Sequence, residues 1–163
     1  MPVISQDQTS TIRPSRGPSE FPALREIWRS SVRATHDFLD DADFARIDAD
    51  LVPTYLPAVT LIVLERGGAP QGFAGISPGT LEMLFVAAEA RGSGVGTALL
   101  SEATSQYGVT RVDVNEQNLG ALNFYLGQGF VRTGRSEVDG DGRPYPILHL
   151  SKDARPGSAS LAE

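Results

Sequence analysis

The segment Glu89–Ala103, EARGSGVGTALLSEA, has glycines at three alternate positions directly before an apolar helical pattern. It follows a β-type apolar run at residues 81–86, so the pattern predicts a strand, a loop and a helix that ends near Tyr107. Glycines allow positive φ and close approach to another group, and the first amides of a helix have no intrahelical partner. Arg91 adds a permanent cation with paired donors. The segment therefore predicts a pyrophosphate site, with a tight turn that binds nothing as the alternative.

Two familiar phosphate-binding motifs do not fit this loop. A P-loop requires a lysine after its last glycine, whereas Thr97 stands five residues after Gly92 and Lys152 is the only lysine in the chain. A dinucleotide fingerprint has the spacing G-x-G-x-x-G, whereas the glycines here are 92, 94 and 96. The sequence thus predicts an anion site made of amides and an arginine.

Composition indicates one acidic domain. The chain has 163 residues, no cysteine, a net charge of −6 and a pI near 4.9. We expect a single domain at residues 11–152 between flexible tails at 1–10 and 153–163. An acidic chain without an apolar run of about 20 residues predicts neither nucleic-acid nor membrane partners. The absence of cysteine and of a leader pattern favours the cytoplasm, and we expect no metal site.

The order of the elements predicts the fold class. A strand at 11–13 precedes a helix capped by Ser19, and a second helix starts at the cap Asp40 and is broken by Pro53 and Pro57. Apolar runs at 59–65, 71–77, 81–86, 109–114, 130–138 and 147–150 predict strands. The order β-α-α-β-β-β-α-β-α-β-β indicates an α+β fold. Its sheet of about seven strands is mixed and mostly antiparallel, with helices on both faces and one parallel β-α-β crossover at the glycine loop.

Two motifs resemble the GCN5-related N-acetyltransferase (GNAT) family. The family's R/Q-x-x-G-x-G/A loop after "L-x-V" is matched by residues 91–96 and 84–86. Its N-x-x-A-x-x-F-Y-x-x-x-G-F signature is matched by residues 118–130. The stretches at 31–39, 112–118 and 134–146 are similar to the YjaB-like branch of this family. The Ala87-Ala88 pair departs from the acidic-Pro pair that is common there.

The resemblance implies acetyl-CoA as the cofactor. Family members hold its pantetheine arm in a gap between two parallel strands, which gives that role to the backbone of Leu84, Phe85 and Val86. The pyrophosphate would contact the amides of the loop and the first helical turn. The implied cofactor-binding residues in the glycine loop, the first turn of its helix and the second motif are Arg91, Gly92, Ser93, Gly94, Val95, Gly96, Thr97 and Asn118. Asn118 can also serve simply as a helix cap.

The resemblance also implies transfer of the acetyl group to a primary amine of a small molecule or a peptide, with a backbone amide at Phe85 or Val86 as oxyanion donor. Tyr125 is the implied general acid. Glu82 is the candidate base, since alternation places it on the face of Leu84 and Val86. Glu116 is its rival and a candidate substrate contact, and both carboxylates can instead be solvated surface groups.

His36 is a candidate substrate contact between the two early helices, and His149 is predicted to be structural. The alternative function is an acyl-CoA-binding protein of the same fold with weak or no turnover. A homodimer is common in the family and stays open.

Overall fold

The computed structural model describes residues 9–35 and 39–153, and within them the elements follow the predicted order. None of the helices in these ranges is long and apolar enough to cross a membrane. The strands and α-helices are β1 (Ser10–Pro14), α1 (Phe21–Thr35), α2 (Asp41–Asp50), β2 (Thr60–Arg66), β3 (Ala69–Ser77), β4 (Thr80–Val86), α3 (Val95–Tyr107), β5 (Arg111–Asn115), α4 (Leu119–Gly127), β6 (Val131–Ser136) and β7 (Ile147–Ser151).

The strands form one seven-stranded sheet in the order β1-β2-β3-β4-β5-β7-β6. Every neighbouring pair is antiparallel except β4 and β5, which are joined through α3. These two parallel strands pair only at Thr80 with Arg111 and at Leu81 with Val112. Beyond Leu81 they separate, so the carboxyl ends of both strands border a gap. The predicted α+β fold with one parallel crossover is confirmed.

A β-bulge lies at the point where β4 leaves β5. Met83 pairs with Gly75 of β3, while Leu81 pairs with Ile76, so Glu82 is an extra residue without a partner on β3. A bulge interrupts the alternation of side chains along a strand. The prediction that Glu82 shares a face with Leu84 and Val86 assumed an unbroken alternation, and the bulge removes that basis.

Helical segments cover both faces of the central strands. A Cβ at Gly72 of β3 would lie 2.7 Å from Val95 Cγ1 of α3, so glycine is needed there for the helix to approach. Gly75, an odd number of residues further along, faces the other side and lies against Val59. Trp28 of α1 borders the same cavity as Val59. The core is continuous through both layers.

Several local predictions need correction. β1 begins at Ser10, within the predicted tail. Ser19 lies inside a 3₁₀ turn, Pro18–Glu20, whose N-cap is Gly17, and does not cap α1. Asp40 does cap α2, accepting a hydrogen bond of 2.8 Å from the amide of Asp43.

The chain also continues past Pro53 as a π-helical turn, Leu51–Tyr55, and a 3₁₀ turn, Leu56–Ala58. The Leu56 amide donates to the Leu51 carbonyl across five residues. This wider turn accommodates Pro53, which has no amide hydrogen to donate.

Candidate active site

The gap between β4 and β5 opens into a groove of about 550 Å³. The end of β4 forms one wall, the glycine loop and the first turn of α3 form the floor, and α4 and the end of α1 complete it. The predicted cofactor residues that line this groove are Leu84, Phe85, Val86, Arg91, Gly92, Gly94, Val95, Gly96, Thr97 and Asn118. Ser93 is the predicted cofactor residue that does not.

The glycine loop presents an uncapped helix N-terminus to the groove. Gly92 has φ +77° and Gly94, the N-cap of α3, has φ +90°, a region that residues with a Cβ rarely adopt. No described side chain caps this helix. The amides of Val95, Gly96 and Thr97 therefore lack intrahelical partners and lie at the positive end of the helix dipole. Arg91 lies exposed beside them and also lines the groove.

Ser93 is held away from the groove by an arginine that the sequence analysis missed. Arg66, at the end of β2, donates 2.8 Å hydrogen bonds to both the hydroxyl and the carbonyl oxygen of Ser93. The Ser93 hydroxyl in turn donates to the Ala90 carbonyl. These bonds fix the one residue between the two left-handed glycines. Arg66 lies 27 positions before Ser93 and belongs to no recognisable motif, so its contact with the glycine loop becomes visible only in the folded structure.

Asn118 lies at the start of α4 and faces the groove while it caps the helix. Its side-chain oxygen accepts a 3.1 Å hydrogen bond from the Ala121 amide, and the residue is buried. The cap function predicted for Asn118 is therefore present in the structure. Its contact with a cofactor remains a prediction.

Tyr125 of α4 is buried at the groove wall. Its ring makes edge contacts with Phe124 and Phe130, at centroid distances of 5.2 and 5.9 Å. The residue is 7% exposed, and its hydroxyl has no hydrogen-bond partner among the described residues. Burial raises the pKa of the Tyr125 phenol well above its usual range. The hydroxyl therefore stays protonated at neutral pH and is available as a donor.

A second cavity of about 400 Å³ meets the groove at Phe85, which lines both. Its walls come from α1, from α2 and the turns that follow it, and from β4, and they are mostly apolar. They are Trp28, Ile47, Leu51, Tyr55, Ala58, Val59, Ser77, Glu82, Met83 and Phe85. Glu82 is the only acidic or basic side chain among them. The bulge thus places Glu82 on the second cavity and not on the groove.

The remaining candidates lie elsewhere. Glu116 borders neither cavity and forms a two-bond ion pair with Arg135, at 2.9 and 3.0 Å. Hydrogen bonding from Arg135 lowers the pKa of the Glu116 carboxyl, which makes it a weaker base. His36 lies outside the described residues, so its predicted substrate contact stays a prediction.

Known proteins share this architecture and much of this sequence. A family model of the acetyltransferase (GNAT) domain matches residues 34–145. Peptidyl-lysine N-acetyltransferase YjaB of Escherichia coli (strain K12) is 42% identical over 142 residues, covering 86% of this chain and 95% of that protein. YjaB of Salmonella typhimurium is 41% identical over 140 residues, covering 85% and 95%.

Among solved structures, apo-form YjaB of Escherichia coli matches with a TM-score of 0.81 and 41% identity, covering 90% of this chain and 99% of that chain. PaiA N-acetyltransferase from Thermoplasma acidophilum, solved with coenzyme A, matches with a TM-score of 0.71 over 89% of this chain and 99% of that chain. Its 19% identity supports the shared fold alone. The family model and the close relatives together show that this chain belongs to the GNAT family and is an acetyltransferase.

Proposed function

We propose that this acetyltransferase moves the acetyl group of acetyl-CoA onto the primary amine of a lysine side chain in a peptide, by direct attack in a ternary complex. The observation that carries the proposal is the junction of two cavities at Phe85. One has an amide cradle for an anion, and the other is an apolar space with one carboxylate. Each suits one of the two substrates.

The groove fits acetyl-CoA by its donors and by its shape. The uncapped amides at residues 95–97 and the guanidinium of Arg91 would hold the pyrophosphate. Beyond Leu81, no strand of the described residues pairs with the edge of β4 that faces β5. The backbone of Leu84, Phe85 and Val86 can therefore bond the amide-rich pantetheine arm as an added strand. Acetyl-CoA supplies an activated thioester, and an amide of β4 would support the charge that develops on its oxygen.

The second cavity fits an aliphatic amine. Its walls include Trp28, Leu51 and Met83, which suit the four-carbon stem of a lysine side chain. Glu82 supplies the one negative charge, which attracts an ammonium group. The names of the YjaB relatives, peptidyl-lysine N-acetyltransferases, support a lysine acceptor over other amines.

Two proton movements complete the proposal. A free lysine ammonium has a pKa of ~10.4 and must lose a proton before it can attack the thioester. Glu82, an exposed residue at the cavity wall, would accept that proton directly or through water. Tyr125, at the groove wall, would donate a proton to the departing thiolate. The raised pKa keeps the Tyr125 hydroxyl protonated but makes it a weaker acid. The same burial would raise the basicity of a thiolate beside it and so offset that effect.

The test combines binding with turnover. Calorimetric titration with coenzyme A should show saturable binding, and acetyl-CoA with a lysine-containing peptide should release thiol in step with acetylated peptide. The matched control peptide carries norleucine in place of lysine, which keeps the stem and removes the amine. Saturable coenzyme A binding without acetylation of any lysine peptide would favour the acyl-CoA-binding alternative. No binding at all would overturn both.

A further inference from the structure

Three side chains on the β5-β7-β6 side of the sheet form a hydrogen-bonded chain away from both cavities. Asp113 of β5 and His149 of β7 are directly paired across the ladder, and Ser136 lies at the end of β6. His149 Nδ1 lies 2.7 Å from Asp113 Oδ1, and His149 Nε2 lies 2.7 Å from Ser136 Oγ. The prediction that His149 is structural did not specify these contacts.

The partners of the imidazole determine its tautomer. An ionised carboxylate such as that of Asp113 can only accept a hydrogen bond, so Nδ1 of His149 carries the hydrogen. In the neutral ring Nε2 then has a lone pair, which accepts the hydrogen bond from the Ser136 hydroxyl. This order of groups is the one in which histidine can take a proton from a serine while aspartate orients and stabilises the ring.

We propose that Ser136 is the nucleophile of a second, hydrolytic site that cleaves small activated carboxylic esters. Ser136 Oγ attacks the ester carbonyl as its proton passes to His149 Nε2. The carbonyl–alkoxy bond then breaks, and the alcohol leaves with that proton. Water attacks the resulting acyl-serine, giving its proton to His149, which returns it to Ser136 Oγ as the carboxylic acid departs.

The strand environment leaves room for a substrate at this serine. Gly134 lies opposite His149, where an added Cβ would already touch the ring at 3.5 Å, so its absence opens space beside the imidazole. The ladder between β6 and β7 shifts register between Arg132 and Gly134. β6 is also the last strand of the sheet. An edge strand with a bulge has unpaired backbone amides, which can donate to an ester oxygen.

The exposure of the site sets its substrate class. The Asp113 side chain is 58% exposed and that of His149 is 37% exposed. None of the three residues lines the groove or the second cavity, so this site shares no walls with either of them. No third His, Asp or Glu of the described chain joins His149 and Asp113, so this pair does not form a three-ligand metal site. Small activated esters are therefore the expected substrates.

A fluorophosphonate probe tests the nucleophile directly, because it modifies serines activated by a neighbouring base. We expect peptide mass spectrometry to find the adduct on Ser136 when the folded protein is labelled, and to find none when the protein is unfolded in urea before the probe is added. His149→Asn should slow labelling by roughly 10²-fold or more, the usual contribution of a general base. Ser101→Ala, at an exposed serine of α3, is the matched control and should leave labelling unchanged. Absence of a Ser136 adduct, or a labelling rate equal in His149→Asn, would overturn the proposal.

Hydrolysis of p-nitrophenyl acetate provides the second readout. Ser136→Ala and His149→Asn should both reduce the rate to that of the buffer, while coenzyme A binding and the unfolding temperature stay unchanged. If Ser136→Ala kept the rate and His149→Asn lost it, the imidazole itself would be the nucleophile and the assignment of Ser136 would be wrong. The proposal does not depend on acetyl-CoA, since its residues lie outside the groove.

Discussion

Replacement of Tyr125 by phenylalanine separates the chemistry at the groove from its packing. The ring contacts with Phe124 and Phe130 would remain. The hydroxyl has no hydrogen-bond partner among the described residues, so its removal leaves no described protein group unsatisfied. We expect the free energy of unfolding to change by less than ~1 kcal/mol, below the usual cost of a lost hydrogen bond. Coenzyme A affinity should also stay nearly constant.

The rate of acetyl transfer should respond very differently. Loss of a general acid typically reduces the rate by ~10²–10⁴, which corresponds to about 3–5 kcal/mol in the activation free energy. The assay is a single-turnover reaction with saturating lysine peptide, so that product release does not limit the observed rate. Full activity in a folded Tyr125→Phe enzyme would refute the proton-donor role. The residue would then be only part of the groove wall, and water or the amine would protonate the thiolate.

Four further substitutions test the other parts of the site and the fold. Gly94→Val places a Cβ at φ +90° beside the amide cradle and should weaken coenzyme A binding at least ~10-fold in calorimetry, with the fold retained. Arg66→Ala removes both hydrogen bonds to Ser93. We expect the KM for acetyl-CoA to rise ~10-fold with an unchanged kcat, and Arg66→Lys to show a smaller rise in KM. Glu82→Gln should lower the rate of acetyl transfer near neutral pH, without a change in coenzyme A affinity. A hydrogen bond from Arg13 lowers the pKa of the Glu20 carboxyl from 4.5 to about 2. The ionised carboxylate therefore stabilises the folded state above pH 4.5, and this contribution is lost as the pH falls towards 2. Glu20→Gln should reduce the unfolding free energy by ~1.5–3 kcal/mol at pH 7 and by much less near pH 2, as measured in urea.

The sequence predicted the parts of the molecule that depend on local patterns. The left-handed Gly94 before α3, the capping Asn118 and the parallel crossover follow from residues close together in the chain. Glycine and capping preferences act over a few residues, and apolar periodicity distinguishes strands from helices. These local rules were sufficient to order the elements and to place an anion site at the glycine loop, while the gap between the two parallel strands was implied by the resemblance to the GNAT family.

Features set by pairing between distant segments were not predictable in this way. The bulge that places Glu82 at the second cavity arises from the register shift between β3 and β4. The register between two strands cannot be derived from the residue pattern of one strand alone. Arg66 reaches Ser93 across 27 positions, and Arg135 reaches Glu116 across 19. Each of these contacts changes the predicted role of a charged or polar residue. Only the folded arrangement shows which of them occur.

The most direct test of the central claim is a quantitative reaction of the protein with acetyl-CoA and a lysine peptide, followed by mass spectrometry of the peptide and thiol detection together. We expect one coenzyme A thiol to be released for each acetyl group found on the lysine amine, and the norleucine peptide to give neither signal. We also expect Gly94→Val and Tyr125→Phe to lower both signals in parallel. The assignment of a lysine acceptor would be contradicted if the protein binds coenzyme A but releases thiol equally with and without the lysine peptide, and if the peptide carries no acetylated lysine.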